Sequence, residues 1–298
     1  MIRYPVDWNK LEAMVKARLP TWLNRAKIRT RTLVVSKSYA EKSSIWSEVK
    51  PIFMQLQANK CVFCERRLEG LDATTIEHDL EHFRPKSDVG IWPPRDGNLS
   101  PYVLFTGAAA PAGYYWLAYE LQNYAVSCKT CNTTYKDSAF PISGKRGAPT
   151  ASITQLNIQE SPYLCYPLGD ADEDPRNIIT FNGLVPVPIA PTGRLNARAR
   201  VIIDFFNLAG REELRIGRAE TISQLAKHLA EQADSGLTEG KRRRAADRAE
   251  AMQLPGSPHS RCAEAFAELW DRDLAGAHAI ADACEDYLES IRRRSVIP

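Results

Sequence analysis

Cys61-Val62-Phe63-Cys64, Glu81-His82-Phe83-Arg84-Pro85-Lys86-Ser87 and Cys128-Lys129-Thr130-Cys131-Asn132 are the stretches on which the fold turns. Four thiolates in two Cys-x-x-Cys knuckles are the ligand set of a closed, tetrahedral zinc site. Two plainer readings compete: cysteines as small buried hydrophobes, and a redox pair in one knuckle. The matching spacing of Cys61/Cys64 and Cys128/Cys131 favours zinc over both. The 63-residue gap between the knuckles is far longer than in a compact zinc finger, so it must hold a folded insertion. That insertion contains an acid, a histidine and two cations between Glu81 and Lys86, and Asn132 and Lys136 follow the second knuckle directly. Cys165, Cys262 and Cys284 share no spacing and read as buried or half-buried thiols.

A chain of 298 residues can bury a sizeable core, as one main domain with a helical extension or as two intimately packed units. No apolar run approaches the roughly 18 residues that mark a membrane span. The first residues, Met1-Ile2-Arg3-Tyr4-Pro5-Val6-Asp7, lack the apolar centre of a secretion signal. Seven cysteines, an odd number with four in zinc spacing, suit a reducing compartment, so a cytoplasmic protein is expected. The net charge of +3 is uneven: residues 1–60 hold 12 Lys/Arg against 4 Asp/Glu, whereas residues 148–298 hold 18 against 22. Arg25, Lys27, Arg29 and Arg31 form the sharpest cluster. It either attracts nucleic-acid phosphates or is a solvated helix face.

Asp7 can cap a helix carrying Trp8, Leu11, Met14/Val15 and Leu19, which ends before Pro20. A second helix runs from Thr21. A third, with Ile45, Trp46, Val49, Ile52/Phe53 and Leu56 at helical spacing, is kinked or broken by Pro51. Leu68-Glu69-Gly70-Leu71 leads away from the first knuckle, and residues 88–107, with Gly90, Pro93, Pro94, Gly97, Pro101 and Gly107, read as an irregular loop. A helix is expected from Asn132 through Lys136. Asn182-Gly183 between two apolar runs signals a type I′ hairpin. From Ala197 the chain reads as helical, in segments broken at Gly236 and at Pro255-Gly256-Ser257-Pro258.

Glu81-His82-x-x-Pro85, then Asn123 five residues before Cys128, then Cys128-x-x-Cys131-Asn132, resembles the HNH (ββα-metal) endonuclease motif. The pattern here is His-Asn-Asn, with Glu81 where the family more often has Asp and a long insertion between His82 and Asn123. Tyr115-Trp116-Leu117-Ala118-Tyr119-Glu120, Phe140-Pro141-Ile142 and Glu173-Asp174-Pro175 narrow the resemblance to the Septu-type anti-phage HNH proteins, a PtuB-like group also found beside some retrons. The likeness covers about residues 60–210. It implies an α+β, mostly helical fold, with a ββα-metal core stapled by a four-cysteine zinc site, N-terminal helices, a β-hairpin and a helical C-terminal region. The corresponding divisions are residues 1–58, 59–145, 146–196 and 197–298.

The resemblance also implies roles. His82 is the general base. Glu81 and Asn132 are hard oxygen ligands suited to Mg²⁺ or Mn²⁺, and Cys61, Cys64, Cys128 and Cys131 hold structural Zn²⁺. Asn123 either accepts from the His82 ring or pins the loop backbone. Arg84, Lys86 and Lys136 are placed to reach phosphate, with Arg25, Lys27, Arg29 and Arg31 adding affinity. His78, in the earlier Glu77-His78 pair, is either a neighbour of the site or an exposed histidine. The function implied is a metal-dependent nuclease of an anti-phage system acting on DNA or RNA beside a PtuA-like ATPase, with no membrane role. The alternative is a zinc-stapled nucleic-acid-binding or adaptor protein without catalysis. The acidic helical tail either docks a partner or, through Trp270, Leu274 and Tyr287, completes the core.

Overall fold

The computed structural model describes residues 1–68, 77–93 and 104–295. Glu69-Gly70-Leu71 and, from the expected loop, Pro94, Gly97, Asn98 and Pro101 lie outside the described residues. The chain divides into two units, Arg3–Phe63 with Leu68–Asp174, and Met1–Ile2 with Cys64–Arg67 and Pro175–Pro298.

In the first unit, Asp7 Oδ1 accepts from the backbone N–H groups of Asn9 at 3.0 Å and Lys10 at 3.1 Å, starting α1 (Trp8–Arg18). Leu11 and Val15, one turn apart, are its buried face. Helix α2 (Trp22–Ser36) buries Trp22, Ala26 and Leu33, and Trp22 Nε1 donates to the Ile45 carbonyl at 2.8 Å. A 3-10 turn, Trp46–Val49, leads into α3 (Lys50–Leu56). Pro51 lies in the first turn of α3, where its missing N–H removes no helical bond, so it starts this helix instead of kinking a longer one.

Strand β1 (His78–His82) pairs antiparallel with β2 (Tyr124–Cys128), in register from His78↔Cys128 to His82↔Tyr124. Every residue of β2 is buried, so its backbone needs internal partners. Buried Gln57 supplies them: Nε2 donates to the Val126 carbonyl at 2.8 Å and Oε1 accepts from Val126 N–H at 2.7 Å. The same Nε2 reaches the Lys60 carbonyl at 3.0 Å, and Val62 N–H donates to the Val126 carbonyl. These bonds tie the chain around the first knuckle to β2. The second knuckle runs into a seven-residue π-helix, Thr130–Lys136, wider than the α-helix expected there. Such turns are rare and gather at functional sites. Helix α4 (Ile153–Glu160) opens with a capping box between Ser152 and Gln155.

In the second unit, β3 (Ile179–Asn182) and β4 (Val185–Pro188) form the expected hairpin, with a shifted turn. Asn182 pairs with Val185, leaving Gly183 and Leu184 as the loop. Only Gly183, at φ 55°, is left-handed there, whereas a type I′ turn needs two such residues. Helices α5 (Gly193–Phe205), α6 (Glu212–Ala233), α7 (Glu239–Gln253), α8 (Ser260–Arg272) and α9 (Leu274–Ser295) follow. Ile222, Leu225, Cys262, Phe266, Ala277, Cys284 and Leu288 form a core of their own within this unit. Trp270 and Tyr287 pack partly buried against it, while Leu274 is 51% exposed. Burial pushes the Cys262 thiol up to about 12 and the Cys284 thiol up to about 11, so both are inert packing residues. Cys165 is buried as well. Among the described residues the fold is mixed and mainly helical, with two small antiparallel sheets. Among the described residues no helix is long and apolar enough to cross a membrane.

Candidate functional site

The Sγ atoms of Cys61, Cys64, Cys128 and Cys131 lie within 4.8 Å of one another, and all four residues are buried. Ligands about 2.3 Å from a tetrahedral zinc ion are about 3.8 Å apart, so this cluster is near enough to hold such an ion. Backbone N–H of Cys131 donates to Cys128 Sγ at 3.4 Å, which supports thiolate character at that sulfur. Ala58 and Asn59, at φ 50° and 54°, turn the chain out of α3 and into the first knuckle.

A cavity of about 320 Å³ opens where β1 meets the π-helix, lined by Asp79, Glu81, His82, Lys86, Asn132 and Asp137 among others. His82, 6% exposed, ends β1 with its ring edge-on to Trp46 and Tyr124, at centroid distances of 5.3 and 5.1 Å. Nε2 lies 3.0 Å from the Ala118 carbonyl. A carbonyl can only accept, so the proton sits on Nε2 and Nδ1 keeps its lone pair. Nδ1 has no hydrogen-bond partner among the described residues. Burial, with help from the positive charges of Lys86 and Lys136, holds the imidazole well below its ordinary value and therefore neutral.

Glu81 Oε1 is 2.5 Å from Lys136 Nζ, both residues being buried, and Lys136 also donates to the His82 carbonyl at 3.1 Å. Burial raises the Glu81 pKa, and the Lys136 charge opposes that rise. Oε2 of Glu81 has no protein partner among the described residues. Asn132 Nδ2 donates to Asp79 Oδ2 at 3.4 Å, which leaves its amide oxygen unbonded among the described residues. Asp79, Glu81 and Asn132 thus offer hard oxygen donors around one cavity, a set that fits Mg²⁺ or Mn²⁺.

Asn123 grips the backbone beyond β1: Oδ1 accepts from Arg84 N–H at 2.8 Å, and Nδ2 donates to the Arg84 carbonyl at 3.0 Å and to that of Leu117 at 3.3 Å. Of the two roles expected for it, the geometry is the loop pin, and the Ala118 carbonyl holds the ring instead.

The chain is similar to a Septu protein. It is 29% identical to the Septu protein PtuB of Bacillus mycoides (strain KBAB4) over 133 residues, which is 45% of this chain and 38% of the length of that relative. No family model matches the chain, and no solved structure matches it. The chain spans well under half the length of that relative.

Two cations expected at the phosphate lie inside the protein. Arg84, 1% exposed, is bonded through Nε to Glu160 at 3.1 Å and through its terminal nitrogen to Asn157 at 2.8 Å. Phe140, Tyr114 and Phe83 surround the guanidinium, which ties α4 to the loop after β1. Lys136 is fully buried against Glu81. Both are corrected to internal partners, because a buried charge is retained only where it is paired. Lys86 does line the cavity, half-buried over the rings of Tyr39 at 5.2 Å and Trp46 at 5.3 Å. Burial lowers its pKa.

The four-residue cluster on α2 also divides. Arg25 is bonded to Glu48 through both terminal nitrogens, the shorter at 2.5 Å. Arg29 pairs with Glu41 at 3.1 Å and donates to the Ser43 carbonyl at 2.6 Å. Lys27 and Arg31 remain exposed. Alternate residues on a helix lie about 200° apart, so 25 and 29 share one face and 27 and 31 another. His78 is fully buried, opposite Cys128 in the ladder, which removes the exposed-histidine alternative. Asp79 is the cavity residue that the motif reading passes over. A period of two along β1 puts it on the face of Glu81 and would have found it.

Proposed function

We propose that the chain is a metal-dependent HNH endonuclease that hydrolyses nucleic-acid phosphodiester bonds and serves as the nuclease of a Septu-type anti-phage system. One observation carries this reading: a neutral histidine, anchored through Nε2 to a backbone carbonyl, keeps Nδ1 unbonded in a cavity shared with Asp79, Glu81 and Asn132. Hydrolysis requires a group that takes the proton of the attacking water at neutral pH. Nδ1 of His82 is that base. Asp79, Glu81 and Asn132 would hold Mg²⁺ or Mn²⁺, which when bound supplies charge neutralisation at the phosphate and at the leaving 3′ oxygen. Lys136 fixes Oε1 of Glu81 and so leaves Oε2 for the cavity. Lys86 adds positive charge at the cavity wall for the scissile phosphate. Asn123 keeps the turn after His82 in place. Zn²⁺ in the four-cysteine cluster is structural, and a PtuA-like ATPase is the partner consistent with the similarity to PtuB.

A second reading, a zinc-stapled nucleic-acid-binding or adaptor protein without catalysis, draws on the Glu81–Lys136 pair, since that carboxylate already has a built-in cation. One experiment separates the two. The purified protein is incubated with Mg²⁺ or Mn²⁺ and labelled duplex DNA, single-stranded DNA and RNA, alone and with any ATPase encoded beside it. Cleavage that His82→Ala abolishes, at unchanged zinc content and melting temperature, supports the enzyme. Binding without cleavage under every condition supports the adaptor.

A further inference from the structure

Helix α7 carries Lys241, Arg242, Arg243, Arg244 and Arg248 within the part of the chain whose formal charge is negative. Its buried positions are Ala245 and Ala249, one turn apart, small residues that let it lie against α6. Arg242 is paired with Glu239 at 2.5 Å. Lys241, Arg243, Arg244 and Arg248 are exposed, and their side chains make no ion pair or hydrogen bond among the described residues. Lys241, Arg244 and Arg248 fall at i, i+3 and i+7, a single stripe of the helix. The stripe lines a cavity of about 300 Å³ with Leu237, Ala245 and Glu231. Glu231 is the cavity's carboxylate, and it lies 3.5 Å from His228 Nδ1.

We propose that this stripe is a docking site for the phosphate backbone of nucleic acid. Three like charges along one face repel one another and gain by binding an anion. From Lys241 to Arg248 the stripe spans about 10 Å of helix axis, the rise of about three nucleotides of one duplex strand. Two of its members are guanidinium forks, which match phosphate oxygens in pairs. The exposed positions of α7 carry no aromatic or large aliphatic side chain, so the helix lacks the buried anchor on which protein interfaces depend. A stripe of this kind contacts phosphates and reads no bases, so it sets affinity and register and leaves sequence preference untouched.

The inference rests on the nucleic-acid reading above, and the test keeps the two apart. Full-length His82→Ala protein, which does not consume the probe, is titrated with labelled duplex and single-stranded oligonucleotides from low to high salt. The variant Lys241→Gln/Arg244→Gln/Arg248→Gln is compared on that background. Its affinity should fall by about tenfold or more at low salt, and its log-log salt slope should flatten by about 2–3, at roughly 0.9 per lost duplex contact and 0.7 per single-strand contact. Arg244→Lys/Arg248→Lys, which keeps the charges, should retain the slope. Arg244→Gln alone should lower it by about 0.9 on duplex, a reading that survives if the triple variant is poorly folded. Unchanged affinity and slope in folded variants, while the parent binds, overturn the α7 site alone. A parent that binds no oligonucleotide overturns the nucleic-acid reading and this site with it.

Discussion

Helices α2 and α7 are both rich in cations, but α2 draws half of its own into internal pairs while α7 leaves nearly all of its cations outward. On α2, Arg25 and Arg29 are turned onto Glu48 and Glu41, and the second is also bonded to the Ser43 carbonyl. On α7, four of five cations extend without a side-chain partner among the described residues. Formal charge ranks the regions the other way, since residues 1–60 have eight more cations than acids and residues 148–298 have four fewer. The site around β1 repeats the α2 pattern more deeply, with Lys136 on Glu81 and Arg84 on Glu160. What a ligand meets is therefore the charge left over after internal pairing, and a sum over the sequence does not measure it.

Substitutions at several points test this difference. The deepest is the staple that holds the inward-facing region. Cys61→Ser or Cys131→Ser should lose bound zinc and folded yield together, because structural zinc contributes about 10–16 kcal/mol of apparent binding free energy that is also folding free energy. Metal analysis alongside circular dichroism checks this, and a metal-free protein that melts cooperatively would reject the staple.

Next is the buried ion pair. Glu160→Ala strands the Arg84 guanidinium among aromatic rings and should cost about 3–5 kcal/mol in denaturant unfolding. Arg244→Ala on α7 should leave the midpoint nearly unchanged. Equal effects of the two would erase the distinction between inward and outward charge.

His82→Ala should reduce cleavage by about 10²–10⁴-fold, the span of general base catalysis, with melting little altered. Because burial lowers the imidazole pKa, the acid limb of the parent's rate profile should fall below the ordinary histidine value of 6.5. Stopped-time cleavage assays from acid to neutral pH check both. A limb above that value would mean that burial does not set the pKa of the base that limits the rate.

The smallest effect is expected on α2. Arg25→Gln/Arg29→Gln should lower stability slightly and leave the salt slope of nucleic-acid binding as it is, since these cations are already engaged by carboxylates. Lys27→Gln/Arg31→Gln is the sharper control, because those two side chains are exposed. If the first pair flattens the slope as much as the α7 stripe, internal pairing does not withdraw a cation from a ligand.

Local chemistry made much of this protein legible in advance. The Cys-x-x-Cys spacing marked the thiols that converge within 4.8 Å. Asp7 and the apolar periodicity after it marked α1, and Asn182-Gly183 marked the β3–β4 hairpin. Each depends on neighbours within a few residues, so the sequence by itself determines it. The exact turn shifted by one residue because Gly183 alone takes the left-handed conformation.

Tertiary structure decided the fate of the charges. Arg84 meets Glu160 across 76 residues of chain, and Lys136 reaches the His82 carbonyl across 54. No local pattern announces such partners, because the cost of burying a charge is met only when distant elements pack around it. The same holds for the carbonyl of Ala118, which fixes the tautomer of His82, and for the fully buried Gln57 that completes β2. Residue type told which side chains could do chemistry here; long-range packing determined which of them face a ligand and which hold the fold.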